Sequence, residues 1–179
     1  MGDSGKMVKS ADLPFSSIWK TMRKFFCLLY VFLILYTCAL FAEDFSGKCV
    51  GIGDGDTISV MRYGRAVKVR LEGIDCPELG QAFGTRAKRF TSAMVFRKIV
   101  DVREYDKDEY DRIVARVYVE GKDLSLELVR AGLAWRFRRS SDLVLDKAEA
   151  QARTQKRGLW STPNPIPPWE YRRKHGRRS

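Results

Sequence analysis

Histidine is nearly missing from the sequence: His175, close to the C-terminal Ser179, is the only one. A histidine general base, a His-Cys zinc cluster and a paired-histidine metal site are therefore not expected, which excludes several hydrolase classes. Any chemistry must instead use carboxylates, arginines, hydroxyl groups or the backbone.

The charge of the chain is strongly unbalanced. It has 33 Lys and Arg against 22 Asp and Glu, a formal net charge of +11 and a pI near 9.7, and its basic residues are spread along the whole sequence. This excess favours a polyanionic partner, either nucleic acid or an anionic membrane surface, and charge alone does not choose between them. A length of 179 residues with 45% hydrophobic content is enough for one domain with extensions.

One apolar segment, Phe25–Ala42, has no charge at all. Basic residues precede it and acidic ones follow it: Lys20, Arg23, Lys24, Glu43 and Asp44. Its length lies between that of a long signal-peptide core and a short membrane span, and the flanking charges direct the rest of the chain outward. We predict that residues 1–42 are a signal peptide and that the protein is exported to the periplasm or secreted. The alternative is an inner-membrane anchor formed by residues 25–42, and translation can start at Met1 or at Met22.

Beyond this segment only two cysteines remain, Cys49 and Cys76. Export to an oxidising compartment would permit a disulfide between them. The alternative is that each fills a small apolar site as a free thiol.

Five stretches have the composition of strands: Cys49–Ile52, Thr57–Met61, Ala66–Leu71, Ile99–Arg103 and Ile113–Val119. In the third, Val67, Val69 and Leu71 alternate with charged residues, which is the pattern of a half-buried strand. Arg70 is therefore predicted to point away from the apolar face of its own strand.

Three helices are predicted between and after these strands: Thr85–Arg97 with Thr85 as N-cap, a short helix capped by Asp123 and ended by Gly132, and a longer one from about Asp142 to Arg157. From Ser161 onward the chain has four prolines before Trp169 and then several arginines, which predicts an extended basic tail that packs by its aromatic residues. The pattern predicts an α+β fold, a small five-stranded β-barrel with three α-helices. We expect this domain to span residues 43–162 and the tail to span 163–179.

Acidic residues gather in two short motifs. GIGDGDTISV, residues 51–60, places Asp54 and Asp56 around one glycine in a predicted hairpin turn, and EGIDCPE adds Asp75 and Glu78 after the strand that carries Arg70. If that strand pairs beside the hairpin, these carboxylates meet at one rim of the barrel. Such hard oxygen ligands suit Ca²⁺ or a similar divalent ion, and without a cation they would repel one another.

Two arginines, Arg70 and Arg112, provide the complementary half of a phosphoryl site. Guanidinium groups match phosphate oxygens and stay charged at any working pH. Together with a cation and a carboxylate that handles water, they would support metal-assisted phosphodiester hydrolysis.

Five motifs in order carry a family resemblance: DGDTISV, VRLEGIDCPE, YDRIVARVYV, LVRAGLAW and AEAQARTQKRGLW. From about Cys49 to Trp160 the chain resembles the staphylococcal nuclease (thermonuclease) family. The resemblance implies an OB-fold barrel and a Ca²⁺-dependent nuclease that cleaves DNA and RNA with little sequence preference and leaves 3′-phosphates.

The resemblance also assigns roles to residues of this chain. It implies that Asp56 and Asp75 bind Ca²⁺ through their carboxylates and that Cys76 does so through its backbone carbonyl. Glu78 would position or deprotonate the attacking water. Arg70 and Arg112 would bind phosphate. The role of Asp54 stays open between ligation and support of the turn.

The chain departs from the family pattern at two places. Asp111 stands where the family usually has glycine before the second arginine, and this carboxylate could weaken the grip of Arg112 on phosphate. Positions that stack a base in the family are here Arg136, Phe137, Arg138 and Arg139, so charge is expected to replace stacking. The acidic loop YDKDEYD, residues 105–111, is interpreted as a solvated connector.

An alternative function stays open at the level of sequence. The barrel could be a non-catalytic module that binds nucleic acid or protein, although such a module would be expected to lose some of the site residues. We expect a monomer with DNA and RNA as partners, and contact with a membrane only if the N-terminal segment is retained.

Overall fold

A computed structural model describes residues 44–176 and, before them, the single residues Arg23, Phe26 and Tyr30. The chain divides into two compact units, residues 1–41 and 42–179. In the first unit the three described residues are helical and exposed. The rest of Phe25–Ala42 lies outside the described residues, so the signal peptide and its alternatives stay predictions. In the described parts of the chain, no helix has the length and apolar character needed to cross a membrane.

The second unit contains eight strands, four α-helices and one 3₁₀ turn within its described residues. In chain order they are β1 Phe45–Ile52, β2 Thr57–Arg62, β3 Arg65–Leu71, β4 Ile74–Asp75, α1 Gly84–Val95, β5 Ile99–Lys107, β6 Ile113–Val119, β7 Lys122–Asp123, α2 Leu124–Arg130, β8 Trp135–Arg136, α3 Leu143–Thr154, the 3₁₀ turn Gly158–Ser161 and α4 Pro168–His175.

The five long strands form a closed barrel. The sheet order is β3-β2-β1-β5-β6-β7, and β3 also pairs with β6 in parallel, which joins the two sides. Inward-facing side chains such as Ile58, Val69 and Val117 are fully buried in the barrel core, which continues to α1 and α2. The predicted α+β barrel of five strands is confirmed, and the alternation in β3 buries Val69 and Leu71 while Arg70 faces the other side.

Several element boundaries differ from the sequence prediction. β5 runs to Lys107, into the predicted loop, because Asp106 and Lys107 pair with β6 beyond a bulge. Helix α1 begins at Gly84 after Phe83, which has a φ of 69° and no side-chain cap, so Thr85 is not the N-cap. A Cβ on Gly84 would lie 1.9 Å from the carbonyl oxygen of Glu78, and this close approach explains why the helix begins at a glycine.

The two predicted aspartate caps are present. Asp123 accepts a hydrogen bond from the backbone N–H of Leu126, and Asp142 accepts from those of Val144 and Leu145. Each cap satisfies amide groups that have no partner inside the first turn of its helix.

The prediction of an extended tail was wrong from Pro168 onward, whereas its packing through aromatic residues is confirmed. Residues 163–167 are irregular, but α4 follows, with Pro168 in its first turn, a position where the missing N–H costs nothing. Trp169 packs edge-on against Trp135, with ring centroids 5.6 Å apart, and the Tyr171 hydroxyl donates to the carbonyl of Gly80. The tail is therefore folded onto the barrel domain.

Cys49 and Cys76 are both buried and both free thiols. Of the two alternatives left open by the sequence, the structure has the one in which each fills a small apolar site.

Candidate active site

The acidic turn before β2 is held tightly against helix α1. The backbone N–H of Asp56 donates to Oδ1 of Asp54 at 3.0 Å, so Asp54 stabilises the turn from within. The buried hydroxyl of Thr91 donates to the carbonyl of Gly55 at 2.6 Å. A Cβ on Gly55 would lie 2.7 Å from Cβ of Cys76 and 2.8 Å from that of Ala87. Glycine is required there because the turn lies directly on its neighbours.

Strand pairing brings Asp56, Asp75 and Arg70 together. Thr57, next to Asp56, lies opposite Arg70 in the β2–β3 register. The Arg70 guanidinium forms an ion pair with Oδ1 of Asp56 and another with Oδ1 of Asp75, the latter at 2.9 Å. Oδ2 of Asp56 accepts the backbone N–H of Cys76 at 2.5 Å. Asp56 and Asp75 are only 2% and 1% exposed, so their charges depend on these partners.

Glu78 lies just after β4 and has an unexpected partner from the C-terminal helix. Nη1 of Arg172 is 2.7 Å from Oε1 of Glu78. The same guanidinium binds both carboxylate oxygens of Asp75, at 3.2 Å for Oδ1 and 2.8 Å for Oδ2. Burial opposes the charged form of Arg172, but hydrogen bonds to Asp75 and Glu78 raise its pKa above the usual value.

The second phosphate-binding candidate, Arg112, is held by a residue that the sequence did not single out. Nε of Arg112 donates to Oδ2 of Asp108 at 2.7 Å, and Oδ1 of Asp108 accepts the backbone N–H of Arg112. Asp111 is exposed and pairs with Lys107 instead, so it does not hold the Arg112 side chain. Its φ of 56° lies in the left-handed region, which glycine adopts freely and aspartate tolerates better than most residues.

These residues line one open cleft with a volume of about 470 Å³. Every site residue predicted from the sequence lies on its wall: Asp54, Asp56, Arg70, Asp75, Cys76, Glu78 and Arg112. Arg172 also lines it. The structure thus brings the predicted carboxylates and arginines to a single place.

The donors of this cleft fit a hard divalent cation by chemical type. Hard divalent cations prefer oxygen ligands, so the backbone carbonyl of Cys76, and not its sulfur, is the group that fits by chemical type. Burial raises the pKa of the Cys76 thiol well above its usual value. Among the described residues, no three acidic, cysteine or histidine side chains are already grouped to hold a metal ion. Arg70 bridges Asp56 and Asp75, and Arg172 bridges Asp75 and Glu78. Guanidinium groups thus neutralise the carboxylates here, and a cation would have to displace at least one contact.

Comparison with known proteins agrees with this arrangement. A family model described as "Staphylococcal nuclease homologue" matches residues 68–162. An "Uncharacterized endonuclease" of Escherichia coli is 39% identical over 153 residues, which are 84% of this chain and 98% of that protein. A "Micrococcal nuclease" of Shigella flexneri is 39% identical over 142 residues, or 73% of this chain and 82% of that protein. The chain belongs to the staphylococcal nuclease family.

Membership makes the protein a nuclease, an enzyme that hydrolyses phosphodiester bonds of nucleic acid. In this nuclease Arg136, at the end of β8, and Arg138, just after it, are engaged in internal contacts. Nε of Arg136 pairs with Asp146 at 3.1 Å, and the Arg138 guanidinium lies over the Trp169 ring at 5.1 Å. Phe137 is 38% exposed. The expectation that charge replaces stacking in this segment stays a prediction, with Arg139 exposed.

Sequence reasoning missed three residues that shape the cleft of the nuclease: Thr91, Asp108 and Arg172. In the sequence, Thr91 has the character of an ordinary helix residue and Asp108 that of a solvated loop. Arg172 lies beyond the matched family region, 94 positions from its partner Glu78. No local pattern could have revealed contacts that depend on tertiary structure.

Proposed function

We propose that this nuclease is a Ca²⁺-dependent endonuclease that cleaves DNA and RNA with little sequence specificity and leaves 3′-phosphates. The observation that carries the proposal is the cleft in which Asp56, Asp75 and Glu78 face Arg70 and Arg112. The net charge of +11 supports a polyanionic substrate.

Asp56, Asp75 and the carbonyl of Cys76 are the groups that would hold the cation. When bound, the cation would polarise a phosphate oxygen and favour attack by water. Burial of the two aspartates supports this role, because carboxylates removed from bulk water interact strongly with a nearby positive charge.

Glu78 is the carboxylate that we assign to the water. Its side chain is 28% exposed, so water can reach it, whereas both aspartates are nearly closed off. Arg70 and Arg112 would bind the phosphate and stabilise the charge that builds up as the bond to the 5′ oxygen breaks. Asp108 supports this by orienting the Arg112 guanidinium fork.

A matched pair of variants tests the assignment. Asp56→Asn keeps the shape of the side chain but removes the charge that would bind the cation, and we expect cleavage to fall by about 10² or more. Asp54→Asn keeps the oxygen that accepts the Asp56 N–H, so activity within a few-fold of wild type is expected.

The assay incubates the purified full chain with plasmid, single-stranded DNA and RNA, with Ca²⁺ or with a chelator. Products with 3′-phosphates carry 5′-hydroxyl ends, which a polynucleotide kinase labels without prior phosphatase treatment. Cleavage that continues in chelator would overturn the Ca²⁺ dependence. Binding without cleavage would instead favour the non-catalytic module.

We also propose export of the nuclease, on the basis of the uncharged segment Phe25–Ala42 and its flanking charges. Cell fractionation tests this: a processed soluble form outside the cytoplasm supports cleavage of a signal peptide. An unprocessed form in the membrane fraction would show that the segment is retained as an anchor.

A further inference from the structure

Helix α4 lies outside the residues that the family model matches, 68–162, and it reaches the cleft. Its Arg172 occupies both carboxylate oxygens of Asp75 and one oxygen of Glu78. These are two of the three carboxylates on which the proposed function depends. The C-terminal helix therefore supplies a positive charge at the place proposed for the cation.

The position of Arg172 follows from several anchors of the tail. The side-chain amide of Gln81 donates to the carbonyl of Ile166, and the Tyr171 hydroxyl donates to the carbonyl of Gly80. The tail is therefore hydrogen-bonded to the loop after Glu78 both before α4 and within it. Trp169 packs on Trp135 in the small apolar cluster below the helix. The Arg172 side chain is 23% exposed, which places its ion pairs partly out of water.

A divalent cation and the Arg172 guanidinium compete for the same oxygens. Asp75 has two carboxylate oxygens, and Arg172 binds both, while Arg70 also binds Oδ1. A cation that ligates Asp75 must displace at least one of these donors. The cation and a guanidinium group held at the same carboxylate would also repel each other. Arg70 also interacts with Asp56 and lies on a barrel strand, whereas Arg172 comes from a short terminal helix. Arg172 is thus the contact that is easier to release.

We propose that Arg172 is an internal competitor for the divalent cation: it neutralises Asp75 and Glu78 in the metal-free enzyme and weakens cation binding. The proposal rests on the proposed function, since it requires that the cation bind at these carboxylates.

The test measures Ca²⁺ binding by isothermal titration calorimetry on the metal-free full chain, without any substrate. Arg172→Gln removes the competing charge, and we expect the Kd for Ca²⁺ to fall by about tenfold or more, where tenfold is about 1.4 kcal/mol. Arg173→Gln is the matched control, because it makes the same change in net charge at an exposed neighbouring position. Its Kd should stay within about twofold of wild type.

Thermal unfolding with and without Ca²⁺ separates competition from a merely structural role. Without Ca²⁺, Arg172→Gln should unfold at a lower temperature than Arg173→Gln, because Asp75 and Glu78 lose their counterion. Saturating Ca²⁺ should make the difference in unfolding temperature between the two variants smaller or reverse it, since the cation replaces the lost positive charge. An equal difference in both conditions would mean that Arg172 only supports the fold.

Two outcomes overturn different parts of the proposal. If all three proteins bind Ca²⁺ with the same affinity, or Arg172→Gln binds more weakly than Arg173→Gln, Arg172 is not a competitor, while the proposed cation site stands. If none of the three binds Ca²⁺ in the calorimeter, the cation site itself is wrong and the competition falls with it.

Discussion

Replacing Gly55 by alanine tests whether close packing of the acidic turn controls the site. The added methyl group would lie 2.7 Å from Cβ of Cys76 and 2.8 Å from Cβ of Ala87, well inside normal contact distance. Ala87 is on helix α1 and Cys76 follows β4, so neither neighbour can move alone. Overpacking of this kind costs about 1–3 kcal/mol, and we expect the free energy of unfolding to fall by that amount.

Gly55→Ala should also lower nuclease activity, because the turn that contains Gly55 carries Asp56. The carbonyl of Gly55 accepts the Thr91 hydroxyl, and this hydrogen bond holds the turn on α1. A shift of the turn of a few tenths of an ångström would misplace the Asp56 carboxylate relative to Asp75. Urea unfolding at constant m-value gives the stability, and Ca²⁺-dependent cleavage of plasmid gives the activity.

Gly64→Ala is the control for an alanine in a hairpin turn. Gly64 has a φ of 77°, and beyond its two chain neighbours no atom lies within 4 Å of the place that a methyl group would take. This change therefore costs about 1 kcal/mol of backbone strain but leaves the site untouched. If Gly55→Ala is as stable and as active as wild type, the reasoning from close packing is refuted. If both variants lose activity equally, the loss does not come from the position of Asp56.

Two further predictions concern charged side chains. Asp108→Asn should lower kcat/KM by about tenfold, because the Arg112 guanidinium loses its charged partner. Asp111→Asn is the control and should leave kcat/KM unchanged, since Asp111 pairs with Lys107. Steady-state cleavage of a fluorescent oligonucleotide measures both variants, and equal effects on kcat/KM would contradict the role assigned to Asp108. Burial opposes the ionised form of Asp142, but the Arg116 guanidinium and the backbone N–H groups of Leu145 and Val144 together outweigh this and lower its pKa below the usual value. The ionised Asp142 carboxylate therefore stabilises the fold at pH values above the usual aspartate pKa, and this stabilisation is lost as the pH falls through the lowered pKa. On acidification, the urea midpoint of Asp142→Asn should drop less than that of the wild type.

Local patterns in the sequence were enough for much of the barrel. The alternation of Val67, Val69 and Leu71 has the period of a strand whatever lies beside it, and the burial of Val69 and Leu71 confirms it. Asp123 and Asp142 cap their helices because an aspartate before a helix satisfies amide groups only two or three residues away. The start of α1 could not be predicted in this way, since it depends on the contact between Gly84 and the carbonyl of Glu78.

The candidate active site was likewise predictable in part from short motifs and in part only from tertiary contacts. The residue types at Asp56, Asp75, Glu78, Arg70 and Arg112 are recognisable from short motifs, and strand register then places them around one cleft. The role of Asp54 is open in the sequence, and the structure shows its Oδ1 stabilising the turn.

The sequence by itself determined the strand and helix pattern, the basic charge and the residues able to perform phosphodiester chemistry, because these are properties of residue type and local spacing. Only the tertiary structure decided which donors each carboxylate meets. Asp108 holds Arg112, and Arg172 reaches Asp75 and Glu78 from the far end of the chain. Such contacts depend on how distant segments pack, and no spacing within a motif carries that information.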